Sequence, residues 1–241
     1  MCGRYAMATG TEEIVEFFNL DNDADAPSLP HNWNVAPTNE IYIIKEKSQF
    51  RAELTTASWG MIAPWQKNLT DARNSQSHAI NARSESIHEK PTFRDAFRRT
   101  RCLIPVTGYY EWATALGDYP PKQPFYITSE NGAPLSIAGI WSSWKSETGQ
   151  VIESASIITR EAVSTLVDIH SRMPVMMTPE KWSAWLDSSN RDIESLRALM
   201  QSPSPAAGLV ARPVSSRVNL VANNGAGLIE EIELGSPETL F

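Results

Sequence analysis

Apolar residues along this chain occur in short runs that predict a β-rich protein with a few helices. Alternating or continuous runs predict strands at 41–44, 102–106, 125–128, 135–139, 154–159 and 214–221, and another that leads to Trp59. Apolar spacings of three and four predict helices at 11–20, 161–168 and 190–201. Thr178-Pro179-Glu180 predicts a further helix start, because proline suits the first helical position. Polar, aperiodic stretches at 21–30, 66–78 and 113–124 predict loops.

The order of these elements predicts the fold class. Strands and helices do not alternate regularly, and there is no internal repeat or linker long enough to separate domains. The sequence therefore predicts a single α+β domain with a largely antiparallel sheet flanked by helices. The last residues, 235–241, continue none of these patterns and predict a disordered tail.

Charge limits how this chain could bind nucleic acid. With 21 Lys and Arg against 28 Asp and Glu, the net charge of −7 argues against coating nucleic acid by bulk electrostatics. Residues 83–101 nevertheless hold six basic side chains against three acidic ones. This segment is either a solvated helix face or a local groove for DNA, and the count alone favours the solvated face.

Several classes of protein find no support. No run approaches the roughly 18 to 20 apolar residues that span a bilayer, and no signal peptide is predicted at the N-terminus. Two cysteines make no disulfide framework, so we expect a reducing, cytoplasmic setting. The four histidines are scattered, and no phosphate loop or serine nucleophile turn is present. We therefore expect no metal, no cofactor and no membrane partner.

Cys2 is the residue with the most distinctive chemistry. Aminopeptidases remove Met1 when the second residue is small, and the mature chain would then begin with an amine and a thiol on adjacent carbons. These groups titrate near about 7.7–8.0 and about 8.5, so part of each is nucleophilic at neutral pH. An aldehyde can form an imine with the amine and then a five-membered thiazolidine with the sulfur. Taken alone, a cysteine at this position is more often incidental.

Three further residues are candidates for proton transfer or ligand orientation. Glu111 follows an apolar strand among aromatic residues, where burial would raise its pKa for acid–base work, or it is simply salt-bridged. His170 lies between a helix and Pro174, where it could move protons or serve only as a structural hydrogen-bonding group. Asn81 could orient a ligand or cap the following turn.

Seven segments together carry a resemblance to one family. They are Cys2-Gly3-Arg4-Tyr5, Asn34-Val35-Ala36-Pro37-Thr38, Trp59-Gly60-Met61-Ile62, Asn81-Ala82-Arg83-Ser84-Glu85, 101–105 with Gly108-Tyr109-Tyr110-Glu111-Trp112, Ala138-Gly139-Ile140-Trp141, and Ile169-His170-Ser171-Arg172-Met173-Pro174-Val175. In this order they resemble the SRAP family, the SOS-response-associated peptidases that act as abasic-site shields. The resemblance covers roughly residues 2–222 and implies an SRAP domain at 1–234 with a curved sheet.

The resemblance implies chemistry at four positions. Cys2 would cross-link to the aldehyde of an abasic site in single-stranded DNA. Glu111 would act as acid and base while the deoxyribose opens and the imine forms. His170 would assist those proton transfers and any reversal, and Asn81 would hold the sugar-derived adduct.

The resemblance also implies a DNA-binding surface. Arg4, Arg83 and Arg172 would contact phosphates, Asn34 would belong to the same surface, and Trp65 would stack on a base or wedge at a junction. The partner would be single-stranded DNA that contains abasic sites, bound by a monomer that associates with the nucleoid during DNA damage.

Two departures from the family pattern bear on these roles. The family pattern after Trp-Gly-Leu is Ile-Pro-x-Trp, whereas this chain has Ile62-Ala63-Pro64-Trp65 after Trp59-Gly60-Met61. The proline is moved by one place, which puts the wedge geometry in doubt. Ser171 stands where an aspartate commonly follows the histidine, which affects how His170 or Arg172 is held.

Two alternative functions remain open at this point. One is a thiol peptidase, or autopeptidase, that uses Cys2 as an N-terminal nucleophile with its own amine as base. The other is a non-covalent reader of damaged DNA in which Cys2 is merely buried.

Overall fold

The computed structural model describes residues 2–21, 26–48, 51–114 and 119–234. The strands of this part, in chain order, are β1 (Arg4–Met7), β2 (Asn32–Val35), β3 (Glu40–Ser48), β4 (Arg51–Trp59), β5 (Asn81–Arg83), β6 (Arg101–Val106), β7 (Gly108–Trp112), β8 (Pro124–Ser129), β9 (Leu135–Lys145), β10 (Val151–Glu161), β11 (Arg172–Pro174) and β12 (Leu209–Pro213). The helices are α1 (Thr11–Phe17), α2 (Leu69–His78), α3 (Arg94–Arg99), α4 (Pro179–Leu186) and α5 (Ile193–Leu199), with 3-10 turns at Ser164–Asp168, Ser216–Asn219 and Ala226–Leu228.

The larger sheet closes on itself as a small barrel. Its order is β11-β10-β4-β3-β6-β9, and β9 also pairs with β10, so that five strands form a ring. Strand β6 is buried on both faces along its whole length, and β3 is buried on both faces at residues 41–44, because one face fills the barrel and helix α4 lies against β6 on the outside. Their continuous apolar runs follow from this double burial. Short β5 joins the barrel by parallel pairing with β10.

The second sheet carries the N-terminus. Its order is β12-β8-β7-β1-β2, and Tyr5 on β1 lies opposite Tyr109 on β7 and Val35 on β2. Side chains alternate between the faces of a strand, so Tyr5 and Tyr109 join the main core while Ala6 and Tyr110 face the other way. The C-terminal segment covers that second face with Val214 and Val218.

The predicted fold class is confirmed, with two sheets instead of one and some element assignments wrong. The sheets are largely antiparallel, as expected, and β10 pairs in parallel with β4 and β5. The segment 66–78, expected to be a loop, contains α2, whose first turn is capped by Asn68 accepting from Asp71 N at 2.9 Å. Helix α2 buries only Ala72 and Gln76, so it has no apolar stripe for a sequence pattern to show.

Two further assignments differ near the ends of strands. The helix expected at 161–168 is only the 3-10 turn Ser164–Asp168, because β10 continues through Glu161. The strand expected at 214–221 is a 3-10 turn at Ser216–Asn219, and the strand lies earlier, as β12. The predicted tail at 235–241 lies outside the described residues, as does part of the loop predicted at 113–124. No helix in the part of the chain described is both long and apolar enough to cross a bilayer.

Arg101 is a structural residue and does not belong to a basic surface. Its side chain is buried at 2% exposure and donates to the carbonyl oxygens of Trp185 at 2.7 Å, Phe97 at 3.0 Å and Asn190 at 3.1 Å, and to that of Asp187. These carbonyls lie at or just after the ends of α3 and α4, where backbone acceptors lack helical partners. Burial lowers the pKa of Arg101 to about 10, which leaves it charged at neutral pH.

Replacing Arg101 should therefore destabilise the fold. We expect Arg101→Ala to lower the free energy of unfolding by about 3 kcal/mol or more, because buried carbonyl groups lose their donor. Urea unfolding followed by circular dichroism measures this, with exposed Arg99→Ala as the matched control at about 0.5 kcal/mol or less. Equal losses in the two variants would contradict the structural role.

Candidate functional site

Cys2 lies where the N-terminal sheet meets the barrel. It precedes β1, and continuing the register of Arg4 opposite Tyr110 by one residue places Gly3 opposite Glu111. Asn81, at the start of β5 in the barrel sheet, donates from Nδ2 to the Cys2 carbonyl oxygen at 2.8 Å. One hydrogen bond thus ties the N-terminus to the other sheet and fixes its position beside β7.

Glu111 is a buried carboxyl group on the face of β7 that points toward the barrel. It alternates with Tyr110 and shares its face with Tyr109, and only 3% of the residue is exposed. Burial raises the pKa of Glu111 to about 7. Both protonation states are therefore populated at neutral pH, which suits a group that both gives and takes a proton.

His170 faces Glu111 from the connection between the 3-10 turn Ser164–Asp168 and β11. Its Nδ1 accepts a hydrogen bond from the backbone N of Arg172 at 2.9 Å, and its Nε2 lies 4.0 Å from Glu111 Oε2. Burial lowers the pKa of His170, which favours the neutral ring. Because Nδ1 is an acceptor, the hydrogen-bond pattern assigns the ring proton to Nε2, the nitrogen that faces the carboxyl group.

The Cys2 thiol is fully buried and protonated in this site. Burial raises its pKa well above the ordinary value, and the negative charge of Glu111 raises it further. A thiol peptidase needs a thiolate as its nucleophile, and these surroundings disfavour one.

Arg172 is held at the edge of the same site. Its Nη1 and Nη2 donate to the two carboxylate oxygens of Glu85 at 2.7 and 3.0 Å, and Nη2 also donates to the Thr159 carbonyl oxygen at 2.8 Å. The backbone N of Arg172 is the donor to His170. Arg172, one of the positions expected to bind phosphate, is therefore in direct contact with His170.

Arg4 and Asn34 lie on the other face of the N-terminal sheet. Arg4 Nη1 donates to Asn34 Oδ1 at 2.8 Å and to the Val218 carbonyl oxygen at 3.0 Å. Asn34 Nδ2 donates to the carbonyl oxygens of Val218, Leu220 and Asn223 at 3.0 to 3.2 Å. In this structure both side chains hold the C-terminal segment against the sheet.

Arg83 and Trp65 lie at the surface. Arg83 is exposed on β5, two residues after Asn81, and Trp65 is 53% exposed in the loop before α2. That loop is anchored on both sides of Trp65, by Ser142 Oγ donating to the Ile62 carbonyl and by Trp144 Nε1 donating to the Gln66 carbonyl, each at 2.9 Å. A fixed, exposed tryptophan is suited to stacking on a base.

The sequence reasoning assigned no role to three residues of this region. In the sequence, Glu85 is only the last residue of a segment that resembles the family. A single acidic residue forms no pattern that would indicate a role. Tyr5 and Tyr109 also border the site: burial raises the pKa of each, and the neighbouring Cys2 raises it further. Both tyrosines lie on the core-facing sides of β1 and β7. The sequence does not indicate which side chains lie beside them. Among the described residues no cluster of His, Cys, Asp or Glu could hold a metal ion.

A barrel with an appended N-terminal sheet, in which the cysteine at residue 2 is buried close to a carboxyl group and an imidazole, defines the class of protein to which this chain is compared. The chain belongs to the SOS response associated peptidase (SRAP) family, which matches residues 1–221. It is 36% identical over 231 residues to the abasic site processing protein YoqW of Bacillus subtilis, covering 95% of this chain and 99% of that one. It is 30% identical to the abasic site processing protein YedK of Escherichia coli, covering 96% and 100%.

The fold also matches a solved structure. The crystal structure of a protein from Bacteroides thetaiotaomicron superposes with a TM-score of 0.81 at 24% identity, covering 96% of this chain and all of that one. The two-sheet architecture is therefore found beyond close sequence relatives.

The raised pKa of Glu111 predicts a pH-dependent cost in stability. The folded protein holds this proton up to a pKa of about 7, whereas an unfolded chain releases it near the ordinary value of 4.5. Between these values the unfolded chain binds fewer protons, so this residue's contribution to stability falls as pH rises. Glu111→Gln should thus gain stability relative to the wild type between pH 5 and pH 8, by up to about 3 kcal/mol.

Urea unfolding of both proteins at the two pH values measures this difference. Glu89→Gln, which changes an exposed carboxylate, is the control and should show little pH-dependent gain. A Glu111→Gln difference that is constant with pH, or that shrinks as pH rises, would contradict the assigned pKa.

Proposed function

We propose that this protein processes abasic sites in single-stranded DNA by a covalent cross-link through Cys2. The observation that carries the proposal is the grouping of Cys2 with Asn81, Glu111 and His170 at one seam of the fold. The relatives YoqW and YedK, named abasic site processing proteins, support the same substrate.

The proposed reaction begins at the amine. Removal of Met1 gives Cys2 a free α-amine, which attacks the aldehyde of the ring-opened deoxyribose. The carbinolamine loses one water to form an imine. The thiol then adds across the imine, so that a carbon–sulfur bond forms and the thiol proton passes to nitrogen. The net change is the loss of one water and the closure of a thiazolidine.

This order of steps agrees with the protonation states in the site. A buried, protonated thiol is a weak nucleophile toward the aldehyde, whereas an amine needs only its lone pair. The imine carbon is more electrophilic and is held beside the sulfur, so the second step is intramolecular. The thiol proton can leave as the carbon–sulfur bond forms.

Glu111 and His170 would serve these proton transfers. With a pKa of about 7, Glu111 can take the proton of the sugar hydroxyl as the ring opens and return a proton to the departing water. His170 directs its Nε2 proton toward Glu111, so it can donate to the carboxylate after Glu111 has given up its own proton. The same pair would run the steps in reverse if the cross-link reopens.

Asn81 would position the reacting centre. Its Nδ2 fixes the Cys2 carbonyl, while its Oδ1 is buried without a hydrogen-bond partner among the described residues. A buried amide oxygen without a donor is costly, so a sugar hydroxyl or the adduct nitrogen would be a favourable partner.

The DNA would follow the surface around this seam. Arg83 and Arg172 would contact phosphates, Trp65 would stack on a base, and Arg4 would contribute charge from a position that Asn34 fixes. We propose that the protein acts as a monomer in the cytoplasm, at the nucleoid during DNA damage.

Cross-linking can be tested directly on a denaturing gel. The protein, with Met1 removal verified by intact mass, is incubated with single-stranded DNA that carries one abasic site, without reductant. We expect a stable shifted band with the wild type and with Cys102→Ala, and none with Cys2→Ala, since only Cys2 can offer both amine and thiol.

The other possible results identify the alternatives. Binding without a covalent band would make the protein a non-covalent reader of damaged DNA. Cleavage of a peptide library without cross-linking would favour the thiol peptidase. A band that persists in Cys2→Ala would place the nucleophile elsewhere and overturn the proposal.

A further inference from the structure

The ion pair between Glu85 and Arg172 has its basic half buried and its acidic half at the surface. The Arg172 side chain is 12% exposed and the Glu85 side chain 48%. Because the two carboxylate oxygens bond Nη1 and Nη2, Glu85 covers the outer edge of the guanidinium group. An anion that reaches this edge from solvent has to take the place of the carboxylate.

The guanidinium group has support that does not depend on Glu85. Arg172 Nη2 also donates to Thr159 O at 2.8 Å and to Thr159 Oγ1 at 3.3 Å, and β11 pairs Arg172 with Glu161. Its backbone N is held by His170 at 2.9 Å. Arg172 would therefore stay in place if the Glu85 side chain turned away.

Glu85, in contrast, can leave without moving the backbone. It lies in the turn after β5, where Ser84 N donates to the Thr159 carbonyl at 2.8 Å and Ser86 N to the Arg83 carbonyl at 3.1 Å. These bonds hold the turn, so rotation of the side chain is enough to bring the half-exposed carboxylate into water, with the loss of its bonds to Arg172 and to the backbone N–H groups of Glu85 and Glu161. Because the Glu85 side chain is 48% exposed, water solvates its carboxylate after separation, which lowers the cost of leaving Arg172.

A phosphate is a suitable replacement for this carboxylate. Both present two oxygens with the spacing that the planar guanidinium fork accepts. Arg172 is two residues from His170, and Glu85 lies in the turn that follows β5, the strand that begins with Asn81. The outer edge of Arg172 is therefore a candidate contact for a phosphate near the reacting nucleotide.

We propose that Glu85 is a specificity-determining residue: an internal anion that occupies Arg172 in the DNA-free protein and yields it to a backbone phosphate. This inference rests on the proposed function. Any strand has to displace Glu85, but only an abasic site then gains the covalent bond. Undamaged strands compete with abasic sites for the protein. The Glu85 carboxylate therefore lowers the affinity for undamaged strands more than it lowers the final yield of the cross-link.

The test is the equilibrium binding of an undamaged single-stranded oligonucleotide by the full chain, followed by fluorescence anisotropy over a range of salt concentrations. We expect Glu85→Gln to raise the affinity about threefold or more. The slope of log affinity against log salt should stay nearly unchanged, because Arg172 contacts the phosphate in both complexes, and it should become shallower by about 0.7, the single-strand value for one phosphate contact, in Arg172→Gln. Glu89→Gln removes a neighbouring carboxylate that contacts His88 instead, and should have a much smaller effect.

A double-mutant cycle identifies Arg172 as the target. The gain from Glu85→Gln should disappear when Arg172→Gln is also present, because no guanidinium edge is uncovered. An unchanged or lower affinity in Glu85→Gln, an equal gain in Glu89→Gln, or a gain that survives Arg172→Gln would overturn the inference. If Arg172→Gln fails to fold in a thermal melt, the comparison of Glu85→Gln with Glu89→Gln decides.

This binding assay and the cross-linking assay fail independently. Binding of an undamaged strand needs no reaction at Cys2, so a protein that shows the Glu85 effect but forms no cross-link would refute only the covalent function. A protein that forms the cross-link without the Glu85 effect would refute only this inference. Absence of any DNA binding would refute both.

Discussion

The hydrogen bond from Asn81 to the Cys2 carbonyl is the contact on which the site depends. Cys2 lies two residues before Arg4, the first residue of the chain that pairs with β7. Chain termini are usually mobile, and this one bond across the seam holds the N-terminus beside fixed groups on β7 and next to β11. Precise placement is what converts a weak pair of nucleophiles into an effective one.

The site combines its reactivity with a cost to the fold. A carboxyl group, a thiol and two tyrosine hydroxyls share one buried region, where burial raises the pKa of Glu111 to about 7. A hydrophobic residue at this position of β7 would suit the core better, since the strand is otherwise apolar on both faces. The same burial that costs stability holds the pKa of the carboxyl group near neutrality. A group with such a pKa can both donate and accept a proton.

Much of the fold and site follows from local sequence, and the exceptions share a cause. Strands β3 and β6 are visible in the sequence because burial on both faces produces continuous apolar runs at 41–44 and 102–106. Helix α2 is not, since its polar sequence depends on the cap at Asn68. The segments that carry Asn81, Glu111 and His170 could be recognised by their resemblance to a family, but only tertiary structure shows that they meet.

The residues whose positions the sequence could not indicate are held by long-range polar contacts. Arg101 follows other basic residues in the sequence, yet its side chain is buried. The carbonyl groups of residues 97, 185 and 190, at or near the ends of α3 and α4, accept its hydrogen bonds. Arg4 and Asn34 both donate to the carbonyl oxygen of Val218, which lies 214 and 184 residues further along the chain. No periodicity encodes such partners, because each contact needs only one suitable residue on each side.

The central claim is that an amine and a thiol of one residue react together with a sugar aldehyde. Intact mass spectrometry of the processed protein after reaction with an abasic oligonucleotide, followed by alkylation of accessible thiols in denaturant, tests it most directly. The account predicts the sum of the two masses less one water, with the adduct on Cys2 and alkylation of Cys102 alone. An adduct in which the Cys2 thiol remains open to alkylation, or one located on a lysine, would contradict it.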